Sequence, residues 1–433
     1  MKPPTRDTKL KERIVLVGVQ LKGRSGGDKS LEELRRLTDT AGGLVVHTLS
    51  QRLDKFHPGS LIGTGKIEEV AAAARAHRAR TVVFDEELAP AQQVTLEEAI
   101  GAKVIDRTRL ILDIFAKRAK TREGELQVEL AQLSYMLPRL TGSWRAFSQQ
   151  VGGIGTRGPG ERQLEYERRH IQSRIEHLKR AIRSVEKNRG VQRRRRQSIP
   201  VPSVAIIGYT NAGKSSLLNR LTGMPASGYH SKAVYADDKL FATLDPTTRR
   251  VQLLQGGWAV FTDTVGFISK LPTALVAAFR STLEEAALAD CLLHVQDGAD
   301  LGELEEHRRV VDGVLADLGA GDIPQVLVVN KADLLDPRQK ESLLSRTPGL
   351  RLVSALTGEG IEPMLERIQE VLHERWLLRE LSLDQSRLGN RQLDEIYRCA
   401  QVVDRRYDGD RLVLRLRVTQ ENWRRLMHRA KVC

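Results

Sequence analysis

Gly208-Tyr209-Thr210-Asn211-Ala212-Gly213-Lys214-Ser215 decides how this chain is read. The stretch follows the apolar run Val204 to Ile207 and leads into Ser216-Leu217-Leu218-Asn219-Arg220-Leu221, whose apolar spacing is helical. A strand, a Gly-rich turn and a helix start make a cradle for phosphate. Glycines let successive backbone N–H groups point inward, and the helix N-terminus adds the positive end of its dipole. In such a cradle Lys214 is expected to bridge β- and γ-oxygens and Ser215 to hold Mg²⁺, with Ser216 beside it in the first turn.

Three companions extend the reading. Trp258 to Phe261 ends in Asp263-Thr264-Val265-Gly266, Val326 to Val329 runs into Asn330-Lys331-Ala332-Asp333, and Arg351-Leu352-Val353 runs into Ser354-Ala355-Leu356. Open α/β sheets bind ligands at such strand ends. Asp263 is placed to reach Mg²⁺ through water. Guanine offers adjacent donors at N1 and N2 that the two oxygens of Asp333 can accept together, and adenine lacks that pair. Asn330 then faces N7, Lys331 covers the ring and the Ala355 N–H donates to O6, so GTP is the expected nucleotide. In Phe241-Ala242-Thr243-Leu244-Asp245, Thr243 is the candidate to complete the Mg²⁺ shell, and the stretch 223–238 before it suits a switch that orders around γ-phosphate. Lys214, Thr243 and Gly266 are the candidate catalytic groups. Phe267 stands where many such enzymes carry a glutamine that orients the attacking water. Hydrolysis by the chain alone is therefore expected to be slow, the missing group coming from a partner, a bound cation or a rearranged switch. Asn211 offers a side-chain carbonyl to a monovalent cation such as K⁺; an ordinary loop hydrogen bond is the alternative.

The rest of the composition points to a polyanionic partner. Of 433 residues 69 are Lys or Arg and 55 Asp or Glu, a formal charge of +14, which favours nucleic acid first and a membrane surface second. Cys291, Cys399 and Cys433 lie far apart without metal-type spacing, as reduced thiols would. No apolar run approaches the roughly 18 residues of a membrane span. Met1 to Arg13 is broken by charges and prolines, so no signal peptide is expected and the cytoplasm is the expected compartment, with a monomer as the simplest state.

Four domains are expected. Residues 1–106 alternate strand and helix (Ile14 to Val19, a helix capped by Ser30 toward Ala41, Leu44 to Leu49, Ile67 to His77, Thr81 to Phe84, Ala91 to Ile100, Lys103 to Ile105), a small α/β domain with a mainly parallel sheet. Gly63-Thr64-Gly65-Lys66 within it could hold a phosphate before a helix, but it is too short for a Walker loop and a tight turn entering that helix is the first reading. Residues 107–200 carry two apolar seams, Leu126, Leu130, Leu133, Leu137, Leu140 and Leu164, Ile171, Ile175, Leu178, Ile182, Val185, which predict an antiparallel helical hairpin. Its tip, 141–161, is longer than a connection requires. Trp144 and Phe147 offer stacking faces, Arg145 and Arg157 guanidinium forks, and glycines such as Gly152 and Gly153 a close backbone approach, a set suited to unpaired RNA. Arg162 to Ser198 then holds 13 basic and four acidic residues and ends in Arg193-Arg194-Arg195-Arg196, a run placed to track phosphates. Residues 201–373 form the P-loop domain with its mainly parallel sheet. Residues 374–433 read as a small α+β domain: a helix from Leu388 to Val403, a turn at Tyr407-Asp408-Gly409-Asp410, and an alternating strand Leu412 to Val418.

With these motifs in view, and with Gly152-Gly153-Ile154-Gly155-Thr156-Arg157-Gly158-Pro159-Gly160-Glu161 the most specific, the chain resembles the HflX-type GTPases over nearly its full length. The resemblance implies a cytoplasmic GTPase that binds the large (50S) ribosomal subunit and its rRNA, reaches toward the peptidyl-transferase region with its Gly-rich tip, and splits stalled ribosomes under stress. The stretch 223–232 departs from the family in being long, which bears on switch kinetics. The residues themselves also leave open a protein-binding switch and a GTP-dependent RNA-remodelling factor.

Overall fold

The structure is a computed structural model that describes residues 11–23, 27–140, 159–197, 201–223, 240–241, 246–254, 256–270, 286–384 and 390–429. The chain divides into two compact units, 1–182 with 271–278, and 183–270 with 279–433.

In the first unit β1 (Glu12–Leu21), α1 (Gly27–Ala41), β2 (Gly43–Leu53), α2 (Thr64–Ala76), β3 (Thr81–Phe84), α3 (Pro90–Ile100), β4 (Lys103–Asp106) and α4 (Arg107–Arg118) follow one another. All strand pairs are parallel, in the order β2-β1-β3-β4. Ile14 to Val19 is apolar without alternation apart from Gly18, because helices cover β1 on both faces and all six residues are buried. Val15, Val17, Val70, Phe84, Leu96 and Val104 make one core, and Leu34, Leu37, Ile111 and Phe115 are buried on α1 and α4. Ser30 does not cap α1. The helix starts a turn earlier at Gly27, and the Ser30 hydroxyl donates to Asp85 instead.

The expected leucine seam is only part of what α5 (Arg122–Met136) buries. Thr121 Oγ1 accepts the Gly124 N–H at 3.1 Å and starts the helix. Leu126 is buried, but Leu130, Leu133, Leu137 and Leu140 are half-buried, and the deeper stripe is Gly124, Gln127, Val128, Ala131 and Tyr135. The reason is that α5 packs on α4, which turns its small and polar residues inward. The long α6 (Pro159–Gln197) buries Ile175, Leu178 and Ile182, and Arg174 grips Glu129 of α5 through two bonds of 2.7 and 2.9 Å. Arg193 to Arg196 fall on the last turns of the α6 backbone. Trp144, Arg145, Phe147, Gly152, Gly153 and Arg157 lie outside the described residues.

The second unit opens with β5 (Ser203–Gly208), α7 (Lys214–Gly223), β6 (Thr247–Gln252), β7 (Trp258–Asp263), β8 (Cys291–Asp297), α8 (Leu304–Asp317), β9 (Gln325–Asn330), α9 (Pro337–Arg346), β10 (Arg351–Leu352) and α10 (Ile361–Arg375). The order β10-β9-β8-β5-β7-β6 is parallel except for the edge strand β6. Val204, Ile206, Leu218, Phe261, Leu293, Val328 and Ile368 share the core beneath it. A smaller antiparallel sheet, β11-β13-β12, follows, built from β11 (Trp376–Asp384), β12 (Gln401–Asp408) and β13 (Arg411–Thr419), with α11 (Asn390–Cys399) and α12 (Gln420–Arg429). The helix predicted to reach Val403 stops at Cys399, and Gln401–Asp408 is a strand. Its β-branched pair Val402-Val403 packs better there, and the Gly409-Asp410 turn, Gly409 at φ 57°, closes a hairpin with β13. Gln401 ties this sheet to β7: its amide donates to Trp258 O at 2.9 Å while its oxygen accepts from buried Arg417 at 3.3 Å. Among the described residues no helix is long and apolar enough to cross a membrane.

Candidate functional site

The phosphate-loop stretch lies at the C-terminal end of β5, between β8 and β7. Gly208 has φ 147°, and a Cβ there would stand 2.1 Å from Val295 O, so only glycine lets the loop turn this close to β8. Gly213, at φ 83°, meets the Asn330 amide in the same way, at 2.3 Å. Asn211 takes a left-handed conformation, φ 62°, which its short polar side chain tolerates. The helix α7 begins at Lys214, so the N–H groups of Lys214, Ser215 and Ser216 belong to the first turn, which has no carbonyls of its own to pair with them. Ser216 is exposed, Lys214 and Ser215 buried, and Ala212 fully so.

Lys214 Nζ donates to Gly208 O at 3.1 Å and to Tyr209 O at 2.8 Å, folding back over its own loop. Burial pushes its ammonium down to about 8, against the upward pull of Asp263. Asp263, wholly buried at the end of β7, accepts the Ser215 hydroxyl at 2.6 Å. A hydroxyl and a carboxylate side by side are hard oxygen donors of the kind Mg²⁺ takes, so these two residues fit it. Thr264 is buried and donates to Ile206 O, and Val265 is buried. A Cβ on Gly266 would stand 2.9 Å from Thr210 Cα and 3.0 Å from Lys214 Nζ, so this glycine lies directly over the loop. Phe267 is 2% exposed, its ring sunk in protein. Among the described residues, the buried Thr210 Oγ1 has no hydrogen-bond partner. Phe241 is buried at φ 56°; Ala242, Thr243, Leu244 and Asp245 lie outside the described residues.

The two base-side motifs meet the loop through one residue. Asn330 donates from Nδ2 to Ala212 O at 2.9 Å and accepts the Ala355 N–H at 3.0 Å, joining three segments. The Ser354 hydroxyl holds Asp333 Oδ1. Asp333 is exposed, so a buried, unpaired carboxylate arises only once a base covers it. Lys331, left-handed at φ 64°, pairs with Asp297 at 2.7 Å; Ala332 is buried and Leu356 is 79% exposed. Three contacts were not expected from the sequence. Asp297, at the end of β8, had a signal in being one more strand-end carboxylate. Arg220 donating to Thr357 O at 2.7 Å and His307 stacked on Tyr209 had none.

Comparisons with known proteins place the chain among its relatives. Residues 28–116 match the family described as GTP-binding GTPase N-terminal, 118–196 its Middle Region, and 203–331 the 50S ribosome-binding GTPase family. GTPase HflX of Caldanaerobacter subterraneus subsp. tengcongensis is 47% identical over 84% of this chain and 81% of its own length. GTPase HflX of Lacrimispora saccharolytica is 42% identical over 95% of both, and that of Escherichia coli K12 is 42% identical over 92% of both. A GTP-binding protein from Sulfolobus solfataricus, solved with GDP, is 23% identical at a TM-score of 0.44, covering 84% of this chain and 99% of that one. With curated relatives matched over more than four fifths of the chain and a phosphate loop joined by Asn330 to a guanine-type motif, the chain belongs to the HflX family of GTPases and is a GTP-binding protein that hydrolyses GTP.

Proposed function

We propose that this GTPase acts on the large (50S) ribosomal subunit in the cytoplasm, as a monomer in four parts (1–106, 107–200, 201–373 and 374–433). It binds the subunit and its rRNA, uses its N-terminal region and the tip residues 141–161 to dissociate stalled ribosomes, and has its hydrolysis stimulated by the ribosome. The observation that carries the reading is that residues 203–331 match a family described as 50S ribosome-binding while the helix leaving the tip, α6, spans the 13-to-four basic excess of Arg162 to Ser198. Such a helix releases counterions on binding phosphate. Stimulation from outside follows from Phe267, whose buried ring cannot orient water.

In the nucleotide site the loop amides and Lys214 receive the β- and γ-phosphates, Gly266 closes over the γ-phosphate, and Asp333, Asn330 and Ala355 read guanine. Ser215 and Asp263, with Thr243, hold Mg²⁺; when bound, the ion neutralises charge on the phosphate oxygens. Asn211 assists a K⁺ ion, so hydrolysis should run faster in K⁺ than in Na⁺ at equal ionic strength.

Sedimentation with purified 50S subunits across a salt series, with GTP turnover measured in parallel, tests the proposal. Salt-sensitive binding and a rise in turnover are expected. Replacing Trp144 and Arg157 with alanine should lower stimulated turnover and splitting, each lost stack or contact costing roughly 1–3 kcal/mol, with nucleotide affinity intact. Salt-insensitive binding and flat turnover would replace the ribosome with a protein partner.

A further inference from the structure

Tyr209 contributes its side chain as well as its backbone to the phosphate loop. Its ring lies face to face with His307 at 3.7 Å between centroids and 12° between planes. His307 belongs to α8, which packs against β5 and β8, so the stack fixes the ring relative to the sheet. From that position the hydroxyl oxygen accepts the Ser269 N–H at 2.6 Å. Two residues earlier the same strand-end segment is tied to the loop by backbone: Phe267 N–H donates to Gly208 O at 3.1 Å and Phe267 O accepts the Thr210 N–H at 2.7 Å, a parallel bridge between Tyr209 and Phe267. Asp263 fixes the segment at its other end through Ser215. Gly266, between these anchors, is thereby pressed over Thr210 and Lys214.

We propose that Tyr209 is a positioning residue for GTP hydrolysis: through its hydroxyl on Ser269 and its stack on His307 it holds Gly266 against Lys214, where the γ-phosphate is received. The proposal rests on the seating of the γ-phosphate given above. Charge on the transferred group is stabilised by donors fixed in advance, and an error of a fraction of an ångström in one of them is felt in rate before it is felt in binding. This enzyme has more at stake in such placement than most, because Phe267 supplies no group to orient water. GDP lacks the γ-phosphate, so the latch bears on turnover and not on GDP affinity. A tyrosine that merely filled space would act on both.

Tyr209→Phe keeps the ring and removes the hydroxyl. In steady-state assays with the full chain, kcat should fall about five-fold, the scale of one net hydrogen bond, with KM, GDP affinity and Tm unchanged. His307→Leu should lower kcat in the same direction, and His307→Phe, which restores a flat partner for the ring, should recover it. Wild-type kcat in Tyr209→Phe, or a loss of GDP affinity by the same factor as kcat, overturns the inference. Gly266→Ala and Lys214→Ala separate it from the seating on which it rests. If both keep hydrolysing, the seating fails and the latch with it; if both are inactive while Tyr209→Phe is normal, the latch alone fails.

Discussion

Two parallel sheets in this molecule each end in buried charge, and they use it for opposite purposes. At the strand ends of the N-terminal sheet, Arg107 is 2% exposed and its guanidinium is shared by Asp85, at 2.7 Å, and Glu33. Next to it Asp106 accepts the N–H groups of Leu88 and Arg109, the Tyr135 hydroxyl at 2.8 Å and Arg139 at 3.3 Å, with the Arg139 guanidinium lying 3.5 Å over the Tyr135 ring. Among the described residues, the buried charges of Arg107 and Asp106 are both answered by side chains of the same unit. At the strand ends of the nucleotide sheet, Lys214 is also buried, but among the described residues its hydrogen bonds go to loop carbonyls, the pull of Asp263 does not offset its burial, and the amides of a helix start stand around it. A buried ammonium bonded to neutral carbonyls is under-compensated, and a phosphate is the partner that would correct it. The location common to α/β binding sites does not by itself mark a ligand site; what marks it is charge that the fold leaves unanswered.

The largest expected effects are reciprocal across these two ends. Lys214→Ala should weaken GTP binding by about 3 kcal/mol or more, over a hundredfold, and leave the N-terminal sheet as it is. Arg107→Met should leave GTP affinity unchanged and destabilise the first unit by about 3–5 kcal/mol, because Asp85 and Glu33 stay buried with their common cation gone. Hydrogen exchange over residues 12–118 together with nucleotide titration reads both. An Arg107→Met protein with native protection but weakened nucleotide binding would reverse the assignment of the two ends.

The two ends also differ in how far they could be read beforehand. The loop 208–215 and Asn330 to Asp333 are legible because each does its work through contiguous residues whose backbone shape the glycines and the motif spacing dictate. The N-terminal ion network is not, since Arg107 and Glu33 are 74 residues apart and neither residue type advertises a partner. The same holds for His307 under Tyr209 and for Gln401 on Trp258. Amphipathic pattern located α5 but not its inner face, because Gly124, Gln127, Val128, Ala131 and Tyr135 are buried there with Leu126 while Leu130 and Leu133 are left half-buried. The first residues of β12, Gln401 to Val403, read as the end of the helix expected over Leu388 to Val403 because no breaker separates them from Asn390 to Cys399, and tertiary pairing with β13 overrides local preference.

A smaller change should alter which base is read without disturbing the charge balance. Asp333→Asn replaces one accepting oxygen by a donor next to Ser354, so GTP should lose roughly 2 kcal/mol while xanthine nucleotides, with a carbonyl on the N2 side, gain. Fluorescence titration of both nucleotides decides it. Unchanged preference for GTP would mean that Asp333 does not read the base.

The smallest effect is in pH, and it follows from the Lys214 ammonium lying at about 8 when no nucleotide is bound. A group whose folded value is lowered below its ordinary 10.5 penalises the folded state while it is charged; between about 8 and 10.5 the unfolded chain keeps the proton and the folded one sheds it, so the ligand-free fold gains stability across that window. Nucleotide binding runs the other way. Phosphate oxygens hold the ammonium charged, so above about 8 binding must take up a proton, and affinity should fall by up to about tenfold per pH unit. Calorimetry in buffers of differing ionisation enthalpy should find close to one proton taken up at pH 9 beyond that seen at pH 7. Lys214→Arg keeps its charge throughout and should lose the extra uptake. The N-terminal strands carry no part of this site, so their protection should stay flat over the same span. Equal proton uptake in wild type and Lys214→Arg would place the under-compensated charge elsewhere than Lys214, and the contrast between the two sheets would no longer rest on that residue.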